Sequence, residues 1–374
     1  LDNAIFPLTG YPPMDVPSWE RIFRIIKNHG LNHVRYHSWC PPEAAFKAAD
    51  RLGIYLQPEG PSWANHGTAL GVGRNIDRYI YEETNRMMQQ YGNYASYVMM
   101  AYGNEPRGKQ VEYLTAFNDY WKQKDARRLY TGASVGGSWP VIPNNEFMVR
   151  GGARDLDWKN HAPQSVNDFS ENIKDFKVPF VSHETGQYCV FPNFDEIKKY
   201  TGAYEARNFE LFQEDLADHH MSDQADTFFK ASGKLQVLAY KYSIEKAMRT
   251  PGYSGYQLLS LSDYSGQGTA LVGILDAFWD AKPYVNAEEW REFSSETVPL
   301  AKLPKFVFTN AEEFKAEIQI AHYGKAKRIT NQSWSITDEK GEELASGTFN
   351  QPEINYGLSN LGVVEFPLRE IDTA

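Results

Sequence analysis

Along the first 290 or so residues, one pattern of apolar and polar positions recurs: a short apolar run, then a longer stretch with helical spacing. In "VPSWERIFRIIKNHG" (16–30), Trp19, Ile22, Phe23 and Ile26 share one face, Pro17 and Ser18 sit near the start, and Gly30 stops the helix. "PPEAAFKAADRLG" (41–53) repeats the arrangement, with Phe46, Ala49 and Leu52 inward and Gly53 as the stop. Further helices are predicted within 83–92, 111–124 and 233–249. The short runs between them read as eight strands: 3–10, 31–37, 54–60, 97–105, 128–137, 156–163, 178–186 and 255–264. Eight such units predict an α/β chain folded as a (β/α)8 TIM barrel over residues 1–300. A doubly wound open sheet is the competing architecture, but no "GxGxxG" turn follows the first strand.

After Pro304 the period changes to two. "KFVFTNAEEFKAEIQIAHYG", "QSWSITDEKGEELASGTF" and "GVVEFPLREI" alternate apolar with polar positions, and Asp338-Glu339-Lys340-Gly341 reads as a turn. A small β-sandwich is therefore expected over 301–374, short for a complete module.

Composition narrows the function classes. The chain has 374 residues, 42% hydrophobic and 23% charged, which suits a globular protein with a large core. Its net charge of −10, with scattered Lys and Arg, argues against a nucleic-acid partner. No apolar run approaches the roughly 20 residues a membrane-spanning helix needs. Cys40 and Cys189 form no metal-spaced cluster. Aromatic residues make up 14% of the chain, including 23 Tyr and 9 Trp, and suit surfaces that stack on ring-shaped ligands.

In a barrel of this kind, chemistry gathers on the loops that follow the C-terminal ends of the strands. Those ends supply Arg35, Tyr36, His37 and Trp39; Glu59 with Trp63, Asn65 and His66; Asn104 and Glu105; Trp139; Asn160 and His161; His183 and Glu184; and Asp263 and Tyr264. Carboxylates, amides, imidazoles and indoles on one rim fit a carbohydrate ligand. Glu105 and Glu184 end the fourth and seventh strands, where they can face each other across the barrel mouth. Two carboxylates about 5–5.5 Å apart divide the work of retaining glycoside hydrolysis between a nucleophile and an acid/base. A strand-end Glu can equally pair with an Arg, and Glu59 with Arg35 is the pair for which that reading is strongest. His37, His66 and His161 lie on separate strands, without the helical spacing of a metal motif, and hydrogen bonding is the expected role. Trp63 and Trp139 suit packing or sugar stacking equally.

These residues resemble glycoside hydrolase family 2, which includes β-galactosidases, β-glucuronidases and β-mannosidases. "GLNHVRYHSWCPPEAAFKAADRLGIYLQPEG", "YVMMAYGNEP", "VPFVSHETGQY" and "GILDAFWDAKPY" resemble successive family segments from Leu1 to about Tyr284. The resemblance implies Glu105 as acid/base, Glu184 as nucleophile and Asn104 as a contact to the sugar 2-hydroxyl. The strand-end inventory adds Arg35, His37, Trp63, His161 and Asp263 as candidate substrate-binding residues. The implied activity is that of a retaining exo-β-glycosidase, β-galactosidase-like, with β-glucuronidase, β-mannosidase or another specificity of the family as alternatives. A catalytically inactive carbohydrate-binding relative is the alternative from another class. No cofactor is required by this chemistry; the resemblance to metal-binding β-galactosidases leaves room for a bound cation, but no metal-ligand set is readable. The family further implies an immunoglobulin-like character for the C-terminal segment, β-sandwich domains preceding the barrel, and secretion or periplasmic residence. Two departures stand out: Leu259 occupies the place where many relatives carry a Trp, and no "N-x-K" uronate signature is present.

Overall fold

The structure is a computed structural model, and it describes the chain apart from Asn3, 64–68, Asp155, Thr269, 326–331, 351–352 and 371–374. From the start run α1 (Val16–Asn28), β1 (His33–Arg35), α2 (Glu43–Leu52), β2 (Tyr55–Gln57), β3 (Ala69–Leu70) and α3 (Asn75–Tyr91). There follow β4 (Met99–Ala101), β5 (Arg107–Gly108), α4 (Gln110–Lys124), β6 (Leu129–Thr131), β7 (Met148–Arg150), α5 (Ser170–Ile173) and β8 (Phe180–Thr185). Then come α6 (Arg207–Asp218), α7 (Ala225–Met248), β9 (Tyr253–Leu258) and α8 (Ala287–Arg291).

The first helix shows why these segments fold as they do. Asp15 caps α1 by accepting from the Ser18 backbone N–H at 2.9 Å. Trp19, Ile22, Phe23 and Ile26 form its buried stripe, each contributing about 1.5–3 kcal/mol by leaving water. Gly53 closes α2 in the left-handed conformation expected of a stop glycine.

The parallel pairings close a ring. β1 pairs β2, and β2 meets β4 through the bridges Leu56–Tyr97 and Glu59–Ala101. β4 pairs β6, and Val135–Arg150 joins the continuation of β6 to β7. β7 pairs β8, and β8 pairs β9. The first stave is the chain start: Leu1 donates to the Leu258 carbonyl at 2.9 Å, and Asp2 bridges Tyr36 beside β1. With eight parallel staves in sequence order, the barrel is complete. β3 and β5 form a separate two-residue parallel ladder on the rim loops.

Two strand predictions need correction. The first stave lies at Leu1–Asp2, ahead of the apolar run "IFPL", which is loop and turn. The sixth stave is "MVR" at Met148–Arg150; the run 156–163 is turn and loop. Beyond the barrel, β10 (Thr297–Lys302), β11 (Glu313–His322) and β14 (Gly357–Pro367) form one antiparallel sheet. β12 (Gln332–Thr337) and β13 (Glu343–Phe349) form a hairpin closed by the turn at Asp338–Gly341. Among the described residues, no helix is long and apolar enough to cross a membrane.

Candidate active site

Both strand-end glutamates leave their staves through a left-handed turn, with φ of +41° at Glu105 and +53° at Glu184. Such a backbone costs a non-glycine residue on the order of 1–3 kcal/mol and persists only where its surroundings fix it. Around Glu105, the Asn104 N–H donates to the Ser62 carbonyl and the Glu105 N–H to the Ser134 carbonyl, both at 3.0 Å. Gly103 makes this possible, because a Cβ there would come 2.2 Å from the Ser62 carbonyl oxygen. Around Glu184, Arg154 donates to the carbonyls of His183 and Glu184, the latter at 2.9 Å. Behind it, a Cβ on Gly186 would lie 1.9 Å from the Tyr240 ring.

The turns bring the two carboxyl groups together. Oxygens of Glu105 and Glu184 and a ring nitrogen of His183 all lie within 4.8 Å of one another. Among the described residues, this is the group of side chains close enough to share a cation, and its two glutamates are the pair that the sequence nominates for chemistry.

Their environments drive the two acids apart. Burial, then the neighbouring Glu184 charge, pushes the Glu105 carboxyl upward, partly opposed by a hydrogen bond from Trp63. Burial also opposes ionisation of Glu184, but the hydrogen bond from His183 and the Arg35 charge outweigh it and hold its carboxyl below the usual range. His37, 3.8 Å from Glu184, is brought down to about 4, chiefly by burial and then by Arg35.

The other nominated residues take distinct places. Arg35 is 1% exposed and grips Glu59 with two hydrogen bonds, 2.6 and 3.0 Å, while its Nη2 also donates to Asn104 Oδ1 at 2.8 Å. In this structure it orients Asn104 from beneath. Trp63 is half-exposed and meets His37 edge to face at 5.3 Å, so it stands at the mouth of the site beside Glu105. Trp139 donates to the Pro106 carbonyl and packs partly against the core. Asp263 is buried against Lys282 at 2.7 Å and accepts from the Gly273 N–H, so its carboxylate is engaged within the wall. His161 sits exposed on the turn after the sixth stave, its backbone N–H bonded to the Asp157 carbonyl. Asn65 and His66 lie outside the described residues.

Two contributors had no role assigned from the sequence, although His183 was named at its strand end. His183 is fully buried, and its Nε2 lies 3.2 Å from Glu184 Oε1 and 3.1 Å from Asn104 Oδ1. Arg154 carries a guanidinium 3.9 Å from Glu184 Oε2. Strand alternation puts His183 on the face opposite Glu184, so its place beside the nucleophile could not be read, and a loop arginine such as Arg154 carries no signal.

Fold and site together place the chain among the TIM barrels that gather paired carboxylates at the C-terminal rim. The sequence profile for "Glycosyl hydrolases family 2, TIM barrel domain" matches residues 12–230, more than half of the chain, and the chain belongs to that family. A second profile, a domain of unknown function (DUF8488), matches residues 312–374. Among solved structures, the chain resembles the β-D-mannosidase from Dictyoglomus thermophilum, with TM-score 0.59 and 15% identity, over 99% of this chain and 47% of that one. It also resembles the β-glucuronidase of Parabacteroides merdae, with TM-score 0.52 and 12% identity, over 95% and 43% of the two chains. A third is the GH2 β-galacturonidase from Eisenbergiella tayi bound to galacturonate, with TM-score 0.51 and 15% identity, over 75% and 48%. At these identities the likeness establishes the fold, and the chain spans less than half the length of each of these proteins. The comparison with curated proteins found no match.

Proposed function

We propose that this chain carries the active site of a retaining exo-β-glycosidase in which Glu184 is the nucleophile and Glu105 the acid/base. The observation that carries the reading is the approach of the two carboxyl groups within 4.8 Å, near the separation at which one carboxylate reaches the anomeric carbon directly. The electrostatics agree in direction: Glu184 is held ionised and Glu105 is pushed toward its protonated form.

In the first step, Glu184 attacks C1 while Glu105 gives its proton to the glycosidic oxygen, and the leaving alcohol departs. In the second, the Glu105 carboxylate takes a proton from water. The resulting oxygen attacks C1 of the glycosyl ester and returns the Glu184 carboxylate. Asn104 contributes through its amide: Oδ1 accepts from Arg35, which leaves Nδ2 as the donor for the sugar 2-hydroxyl. The two carboxyl groups suffice for this chemistry, without a cofactor.

A β-galactoside is the first substrate to test, with β-mannosides, β-glucuronides and β-galacturonides beside it, the last three suggested by the names of the similar structures. We further propose that the C-terminal sheets belong to an immunoglobulin-like sandwich and that β-sandwich domains preceding the barrel help shape the sugar pocket.

The test is turnover of aryl β-glycosides by the full-length protein, with the anomer of the first-formed product followed by proton NMR. Retention is expected, and Glu184→Gln should lose roughly 10⁴-fold or more in rate. Wild-type turnover in that variant, or a first product of inverted configuration, would sink the assignment.

A further inference from the structure

His183 and Glu184 are consecutive residues of β8, and along a regular strand consecutive side chains point to opposite faces. The left-handed backbone at Glu184 breaks that alternation and brings both into one site. There, a single ring nitrogen of His183 faces two oxygens, Glu184 Oε1 at 3.2 Å and Asn104 Oδ1 at 3.1 Å. The Asn104 atom is fixed as oxygen by an independent contact, because Arg35 Nη2 also points at it from 2.8 Å and a guanidinium only donates.

We propose that His183 is a positioning residue, neutral and protonated on Nε2, that ties the nucleophile Glu184 and the sugar-facing Asn104 to one shared N–H. The inference rests on the roles assigned to Glu184 and Asn104 under the proposed function.

Three observations converge on the protonation state. Two acceptors at hydrogen-bond distance require a donor on Nε2. Nδ1 is buried and has no partner among the described residues, so a proton there would be an orphaned donor, a rarer and costlier condition than an unfilled lone pair. An imidazolium would carry that orphaned N–H in a fully buried ring, with Arg35 and Arg154 as nearby positive charges. Burial accordingly drives the ring toward neutrality, although the Glu184 charge pulls the other way.

The consequence is mechanical. The carboxylate that must approach C1 and the amide that must meet the 2-hydroxyl are held in register by one atom. They cannot drift apart while the sugar flattens toward its transition state. Arg154 supports the arrangement from the backbone side. Its loop is sewn down by Ser243 on the Arg154 carbonyl, Tyr253 on the Ala153 carbonyl and Tyr242 on Asp157, at 2.7, 2.7 and 2.6 Å.

The test begins with the unaltered protein. Nitrogen-15 NMR of histidine-labelled protein, with His183→Gln used to assign the signal, should show a neutral ring protonated on Nε2 throughout pH 5 to 8. A ring protonated on Nδ1, or charged at pH 7, would overturn the proposal whether or not any glycoside is turned over. In protein labelled at glutamate Cδ, and assigned with Glu184→Gln, His183→Ala should raise the midpoint of the Glu184 titration by about one pH unit or more. His183→Gln, whose amide can still donate, should restore at least half of that change. Folded His183→Ala with an unmoved Glu184 midpoint would refute the tie. If no aryl β-glycoside is hydrolysed while both NMR results hold, the proposed activity fails and the positioning of Glu184 by His183 stands.

Discussion

At the scale of single residues, the site is a contest over which carboxyl group keeps its proton. Trp63 takes the side of the carboxylate, since an indole N–H bonded to Glu105 stabilises its ionised form and opposes the upward push of burial and of Glu184. Glu105 must be protonated to act first, so kcat/KM should fall as pH rises through its pKa. Removing the Trp63 bond raises that pKa. Trp63→Phe, which keeps a ring beside His37, should therefore move the alkaline limb of the kcat/KM profile upward by about half a unit or more. A stationary limb would mean that Trp63 packs at the mouth without tuning the acid. The two glutamates were legible in the sequence because each ends an apolar run that a buried stave explains and a carboxylate does not. The partnership of Arg35 with Glu59 was legible as one of two roles, and burial decides it. The part played by His183 was hidden, because strand alternation places it on the opposite face from Glu184 unless the backbone turns left-handed, and no residue type announces that turn.

At the scale of elements, side chains that look poised for substrate are consumed in joining one loop to another. The segment after β9 carries Asp263, and Lys282 comes back to it at 2.7 Å with both side chains almost wholly buried. Lys282 also donates to the Gly273 carbonyl, so one ammonium fixes both ends of the loop. Lys282→Met would strand a buried carboxylate and cost about 3–5 kcal/mol of stability, measured by urea unfolding, with KM changed far less than stability. A large rise in KM with little loss of stability would instead restore Asp263 to the sugar. Five helices and most staves were legible from periodicity, since α1, α2 and α4 each carry a stripe of apolar residues that a barrel exterior needs, whereas α6 and the short α5 and α8 were not. The sixth stave was not. Its run "MVR" is as short as β1, β2, β4 and β6, and the alternation of 156–163, which lies in turn and loop, drew the assignment away from it. Eight staves were countable, but the first, at Leu1–Asp2, and the sixth could not be located by pattern alone.

At the scale of the whole molecule, the same opposition of buried charges makes stability depend on pH. Glu196 is 3% exposed in the turn at Phe194–Lys199 that follows β8, and one of its oxygens has no hydrogen-bond partner among the described residues. Burial and the nearby Asp263 and Asp276 raise its carboxyl to about 8, despite Lys282 and Lys199. In the unfolded chain it titrates near 4.5. Between these values the unfolded state has released the proton that the folded state keeps, so the folded state loses about 1.4 kcal/mol of stability for each unit of rising pH. Below about 4.5 both states hold the proton and the contribution is complete. Glu105, also raised, slopes the same way, while Glu184, depressed, contributes stability that is lost only at lower pH, as its own proton returns. Glu196→Gln replaces the protonated acid with a neutral amide of the same shape. The variant should match the wild type near pH 5 and exceed it in urea unfolding by a margin that grows steadily toward pH 8. Parallel stability curves across that interval would show that Glu196 is ionised in the folded protein, and that the lysines beside it, not burial, govern the wall between the β8 and β9 loops.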